Sequence, residues 1–332
     1  MNLSSSYLSN TFRIKKLKML AVIALLLILV LLPPFLPSFY KYLLTMAMIW
    51  AIFAMAYDIC FGYTGMLSLY HAIFFGFGAY GSALMLIHFN LNFWSSLFFG
   101  VCFGAVASLV LGSVILKTKG VHFILSSFII GIIIFLISLR LNWLTGGEDG
   151  ISFTKPELPF FGFTFPLSDY IVAYYCALVF FILSYFCLDR LAKSQLGLVF
   201  RAVRENENLA ESLGYNVGRY KLIAMTVSGL FSSLSGSLYS MTLGYSNALF
   251  IHPTQSVQVF VWVLLGGAGT LIGPILGTFA LVFFFDWVRS WSPHLHPIFL
   301  GILLILGVIR SHKGLIGLIE LLQRSISQKL GR

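Results

Sequence analysis

Charge is the scarcest property of this 332-residue chain: Asp, Glu, Lys and Arg make up only 10% of it. A soluble domain carries about 25% charged residues, so the composition excludes one. The strict alternation with short turns that marks a membrane β-barrel is missing as well. Cysteine is sparse. Cys60, Cys102, Cys176 and Cys187 lie in apolar segments with no C-x-x-C pair, which reads as small buried hydrophobes rather than a metal or redox site. There is no G-x-x-x-x-G-K-[ST] loop to cradle a phosphate. No paired carboxylates, H-E-x-x-H or G-x-S-x-G fall within the apolar runs. The chain therefore offers no catalytic residues, no metal ligands and no cofactor site, and it is not read as an enzyme.

What it has in abundance is hydrophobic sequence, 59% of all residues. A helix needs about 20 apolar residues to cross a bilayer. Candidate spans run near 19–39, 42–61, 66–89, 93–116, 121–144, 170–190, 221–243 and 297–311. Residues 255–291 are awkward: "SVQVFVWVLL" is short, "GGAGTLIGP" interrupts it and "ILGTFALVFFFDWVRSW" follows. That stretch predicts either two short spans or one broken helix lining a cavity. The fold class is all-α, a polytopic transmembrane bundle of about 8–10 spans in a single domain covering 1–332.

The net charge of +10 is distributed by topology, not as a nucleic-acid surface. Threading ten spans puts 17 of the Lys and Arg residues on one side, including Arg13, Lys15, Lys16 and Lys18 before the first span and six between 190 and 221. Only Lys41, Arg140, Lys155 and Arg289 face the other way. The positive-inside rule makes the first side, and both termini, cytoplasmic. The basic start resembles a signal peptide but has no A-x-A cleavage site, so it reads as an uncleaved helix.

Small residues recur where helices would touch. Ser68, Ala72, Gly76, Ala79 and Ala83 form one seam; Gly100, Gly104, Ser108 and Gly112 a second; Gly229, Ser233, Gly236 and Ser240 a third. In lipid such seams let backbones approach closely. His71 stands out as a polar ring at membrane depth, where it marks either a hydrogen bond to a neighbouring helix or a solute path. Asp58, one span earlier, is its partner or an interface residue. Asp286 and Arg289, three apart, predict a local ion pair.

The cytoplasmic segment 191–220 is patterned. Leu198, Ala202 and Glu205 share one helical face, Val203, Leu209, Ala210 and Leu213 recur at helical spacing, and Gly214 stands as a C-terminal cap. A helix over 198–214 lying along the membrane would suit a groove in a cytoplasmic partner, or else the loop is merely topological.

Five blocks now resemble one family. "CFGYTGMLSLYHAIFFGFGAYGSAL", "LKTKGVHFILSSF", "LTGGEDGI", "RAVRENENLAESLGYNVGRYKLIA" and "LLGGAGTLIGPILGT" occur in order from 60 to 278. They resemble the LivM-type permease subunits of branched-chain amino acid ABC importers. The chain departs from that pattern at Tyr70, where the family usually has glycine. Of the general importer loop pattern E-A-A-x-x-x-G, only Ala210 and Gly214 match.

The resemblance implies a multi-pass protein of the bacterial inner membrane, embedded in lipid and with no nucleic-acid partner. Its partners would be a LivH-like second permease, two cytoplasmic ATPases that bind the ATP, and a periplasmic substrate-binding protein. It implies that the 198–214 helix couples to an ATPase, through Arg204, Glu205, Glu207, Ala210 and Gly214. Ser68, His71, Gly266, Gly267 and Gly269 are the expected substrate-path or gating positions. The alternatives are a urea or short-amide importer permease, and an ion-coupled secondary transporter acting alone.

Overall fold

The computed structural model describes residues 29–160, 162–291 and 295–310. Most of the predicted first span, the basic residues ahead of it and both termini lie outside the described residues. The long helices are α1 (Ser38–Asp58), α2 (His71–Phe89), α3 (Phe93–Ile115), α4 (Gly120–Arg140), α6 (Tyr170–Lys193), α9 (Val217–Leu243), α10 (Pro253–Gly266), α11 (Ile272–Trp291) and α12 (Leu295–Arg310). Short helices α5 (Asn142–Thr145), α7 (Gln195–Glu205) and α8 (Glu207–Ser212) join them. Eight helical stretches are long and apolar enough to span a membrane, among them Ala248–Gly266, which extends α10.

Local sequence explains the boundaries. Asn92, Asp169, Asn206 and Asn216 each accept a backbone N–H from the first turn of α3, α6, α8 and α9, respectively, supplying the acceptor that a helix start lacks. His252 caps α10, with Pro253 at the first helical position. The only β-structure among the described residues is two two-stranded ribbons. β1 (Ile151–Ser152) pairs with β4 (Tyr245–Ser246), and β2 (Glu157–Phe160) with β3 (Phe163–Pro166). The block "LTGGEDGI" is the turn at this end: Gly146, Gly147 and Gly150 have positive φ, and Tyr245 Oη and Asn247 Nδ2 donate to the carbonyls of Asp149 and Glu148.

Helix α1 is the axis of the bundle, with 94% of its apolar window buried. Helices α6, α9, α10 and α11 pack around it, and α3 and α4 lie outermost. The three small-residue seams meet as one. A Cβ on Gly78 would stand 2.0 Å from the Ser233 carbonyl oxygen, on Gly104 2.2 Å from Ser233 Cβ, on Gly229 2.1 Å from Ser108 Cβ, and on Gly236 1.8 Å from the Phe75 carbonyl oxygen. Backbones of α2, α3 and α9 are thus in direct contact, which only small residues permit. One assignment shifts: Gly78 faces α9, while Gly76 packs on Ile251. Serines then fasten α9 to its neighbours. Ser235 Oγ donates to Ile49 C=O at 2.6 Å and Ser237 Oγ to Gly78 C=O at 2.8 Å.

Other expectations are corrected by packing. Residues 66–70 are not helical, so α2 begins at His71. The 255–291 stretch forms two helices joined by a turn. The ion pairs among the described residues are Lys193–Asp189 and Lys221–Glu207, not Asp286–Arg289. Of the cysteines, Cys60 is buried but Cys187 is exposed on α6.

Gly236→Ala is expected to lower the melting temperature of the detergent-solubilised protein, because overpacking at a closed contact costs about 1–3 kcal/mol. Gly218→Ala in the first turn of the same helix, where the nearest heavy atom to an added Cβ is 3.6 Å away, is expected to leave melting unchanged or raise it slightly.

Candidate functional site

Two helix interruptions flank the C-terminal end of α1. The first follows a widened π-helical turn, Ile59–Tyr63, after which Gly65 takes φ +74° and the chain runs without regular structure to Tyr70. The second is the turn 267–271 between α10 and α11, with φ of +118° at Gly267, +80° at Gly269 and +55° at Leu271. Glycines let that hairpin close: a Cβ on Gly266 would lie 2.0 Å from the Gly273 carbonyl oxygen, and one on Gly277 2.2 Å from that of Trp262.

Buried non-helical backbone survives only if protein groups satisfy it. In the first interruption, Tyr57 Oη donates to Ser68 C=O at 2.9 Å, Leu69 N–H to Ser127 Oγ at 3.1 Å, and Ala72 N–H to Ser256 Oγ at 2.8 Å. His71 is fully buried and clasped on both nitrogens. Ser228 Oγ donates to the Ala56 carbonyl at 2.6 Å, which commits its one proton. It must therefore accept from His71 Nε2–H, 2.8 Å away, leaving Nδ1 to accept from Ser68 Oγ–H at 2.7 Å. Of the two neutral tautomers, this arrangement selects Nε2–H. Tyr70, the departure from the family pattern, is also fully buried, and its phenolic oxygen has no hydrogen-bond partner in the structure.

Asp58 is not the partner of His71. Its carboxyl lies in the second interruption, accepting Gly269 N–H at 2.8 Å and Leu271 N–H at 3.3 Å. Thr270 closes the same turn, donating to Gly267 C=O at 2.7 Å and accepting from Gly273 N–H at 3.0 Å. The carboxyl and the hydroxyl thus satisfy a turn whose backbone cannot pair within a helix.

The loop expected to be one helix over 198–214 is two. Asn206 is extended and serves as the N-cap of α8, so α7 and α8 meet at a bend. Gly214, φ +88°, takes the left-handed position after α8. The inner faces form a small core of Val199, Val203, Ala210 and Val217. Glu205 faces solvent, while Glu207 pairs with Lys221. Arg204, solvent-exposed as a residue, still reaches inward, and its Nη1 donates to the Gly62 carbonyl. Leu198, Leu209 and Leu213 remain 64%, 57% and 69% exposed.

Four of the ten expected site residues therefore fall into two clusters beside α1, Ser68 and His71 in one and Gly269 with Arg204 in the other, with Gly266 in the hairpin behind. Sequence reasoning missed Ser228, Ser256, Ser127 and Tyr57. The serine density of α9 was a usable signal, but it was read only for close packing.

Interrupted helices closed by side chains within a multi-pass bundle are elements that membrane transport proteins use. A family model described as the permease component of branched-chain amino acid transport systems matches residues 39–308, and the chain belongs to that family. It is 30% identical over 292 residues to the high-affinity branched-chain amino acid transport system permease protein LivM of Escherichia coli (strain K12), covering 82% of this chain and 68% of that one. It is 29% identical over 144 residues to the tyrosine transport system permease protein of Clostridioides difficile (strain R20291), covering 43% and 45%. It is 26% identical over 230 residues to the guanosine ABC transporter permease protein NupQ of Bacillus subtilis (strain 168), covering 65% and 69%. No solved structure matches. The chain is a multi-pass inner-membrane permease of the ABC class.

Asp58→Asn replaces one acceptor oxygen by an N–H₂ donor facing the turn, so one backbone N–H loses its partner, at a cost of about 1–3 kcal/mol. The expected result is a lower melting temperature in detergent and faster protease cleavage at 267–271.

Proposed function

We propose that this chain pairs with a LivH-like second permease, two cytoplasmic ATPases and a periplasmic binding protein, and translocates branched-chain amino acids by ATP-driven alternating access. ATP binds the partner subunits; this chain holds no cofactor. The observation that carries the reading is the unpartnered apolar ridge of the α7–α8 element. Leu198, Ala202, Glu205, Leu209 and Leu213 are all exposed. They lie at the end of the bundle where Lys119 and Lys221 come together, the cytoplasmic end by the positive-inside rule. Two short amphipathic helices there fit a groove in a soluble subunit.

Within the docking element the proposed roles divide. Glu205 and the leucine ridge meet the ATPase. Ala210 and the Glu207–Lys221 pair hold the element against the bundle, Gly214 turns the chain back toward α9, and Arg204 points inward. For the solute route, Gly266, Gly267 and Gly269 are proposed as the hinge of the α10–α11 hairpin. The clasp of Ser68, His71 and Ser228 is proposed as the contact between α2 and α9 that changes as the cavity opens.

The test is uptake of labelled leucine, isoleucine and valine by cells carrying the full importer, with urea as a competitor. Competition among the three amino acids and none from urea is expected; the reverse pattern transfers the chain to short amides. Leu209→Asp with Leu213→Asp is expected to abolish copurification of the ATPases and uptake, while the membrane level of the chain stays the same. His71→Leu removes an acceptor for Ser68 and a donor to Ser228. It is expected to lower uptake with assembly intact, and unchanged uptake would exclude the clasp from the solute route.

A further inference from the structure

The two features treated so far as separate, the cytoplasmic element and the interrupted helices, touch through one side chain. Arg204 lies in the last turn of α7, with Nη1 donating to the Gly62 carbonyl inside the π-helical turn. A Cβ on Gly269 would stand 2.9 Å from that same Nη1, and a Cβ on Gly65 3.3 Å from Arg204 Cγ. Glycine at 65 and 269 is therefore what lets the arginine lie across both breaks. Gly62 in turn has no room: a Cβ there would be 1.9 Å from Asp58 Oδ1 and 2.3 Å from Gly269 N. The Asp58 carboxyl holds Gly269 N–H and Leu271 N–H from the other side. Arg204, Gly62, Asp58 and Gly269 form a closed contact chain from the docking element, through the end of α1, to the tip of the α10–α11 hairpin.

From this contact chain we infer that Arg204 is a positioning residue, a strut that transmits displacement of α7 to both helix breaks at once. The inference rests on the reading of α7–α8 as the docking element and adds the inward half of the linkage. The π-helical turn suits the role. Met66 N–H, which an α-helix would bring to the Gly62 carbonyl, donates instead to the Cys60 carbonyl at 2.9 Å, so the Gly62 carbonyl accepts from a side chain. A guanidinium suits it too, because its planar fork can donate to one carbonyl while its face packs against glycine backbone. A displaced α7 either carries the Gly62 carbonyl with it or breaks that bond and withdraws Nη1 from its place beside Gly269. Either way the hairpin turn responds to the cytoplasmic element without an intervening flexible linker.

The experiment uses the assembled importer in proteoliposomes and reads the number of solute molecules moved per ATP hydrolysed. A merely structural role changes the amount of complex but not this ratio. Arg204→Ala is expected to lower the ratio roughly tenfold, within the ordinary range of coupling between sites, with ATPase copurification retained. Arg204→Lys, which keeps one donor for Gly62 but cannot span to Gly269, is expected to give an intermediate ratio. A ratio equal to the unmodified importer in the Lys variant and within roughly twofold of it in the Ala variant overturns the strut. So does loss of copurification in either variant, which would make Arg204 a docking residue. If the Ala variant chain does not accumulate in the membrane at all, the Lys variant decides alone. The leucine-ridge variant is run in parallel. Copurification that survives there sinks the docking reading while leaving the Arg204 ratio free to be judged by itself.

Discussion

Every N–H and C=O released when a helix stops inside a packed bundle has to be taken up by other groups of the protein wherever water cannot reach it. Much of this fold follows from that constraint at two places. The chain leaves helical geometry after α1 and again between α10 and α11, and the freed groups are met by Tyr57, Ser127 and Ser256 at one break and by Asp58 and Thr270 at the other. These groups come from α1, α4, α10 and the turn itself, so neither break can form until the helices around it have packed.

The same constraint accounts for the chemistry of the packing. Helices that gain nothing from hiding leucine in lipid gain contact by letting backbones meet, and glycine at 78, 104, 229 and 236 provides that. Serine adds direction. Ser228, Ser235 and Ser237 each donate across to a carbonyl of another helix, so α9 is fixed in rotation as well as in distance. His71 belongs to this group. With both ring nitrogens committed to serines it fastens α2 to α9, and movement between those helices has to exchange that pair of bonds for others.

On the proposed reading, movement imposed by a partner reaches these buried bonds through the α7–α8 element. The bend at Asn206 turns two short helices into a platform whose inner face is a small core and whose outer face is a leucine ridge. Arg204 reaches from the edge of that platform into the membrane domain, to the glycines of both breaks. Glu207 and Lys221 hold the platform to the start of α9. A partner gripping the ridge would therefore pull on α1, on the hairpin and on α9.

The spans between 38 and 310, the small-residue seams and the exposed loop could be read from the chain, because hydrophobic length, glycine spacing and charge placement are local or periodic signals. Even the fault at 255–291 was visible, as glycines in an apolar run. Other features were legible only in part. Gly76 and Gly78 look alike as letters, and only the rotation of α2 decides which one meets α9. Asp58 and His71 sit close enough in sequence to suggest a pair. Yet the carboxyl turns to backbone N–H groups 211 and 213 residues away, and the ring to a serine 157 residues away.

What the sequence determined by itself was the class of molecule and its family, since composition and five ordered motifs carry both. Tertiary structure alone decided that Gly269 and Arg204, which the motifs put in different roles, share one contact, and that Glu207 and Ala210 face inward while Leu209 and Leu213 face out. The physical reason is that a hydrogen bond or a close glycine contact is set by the packing of several helices at once, and no periodicity along one helix records it.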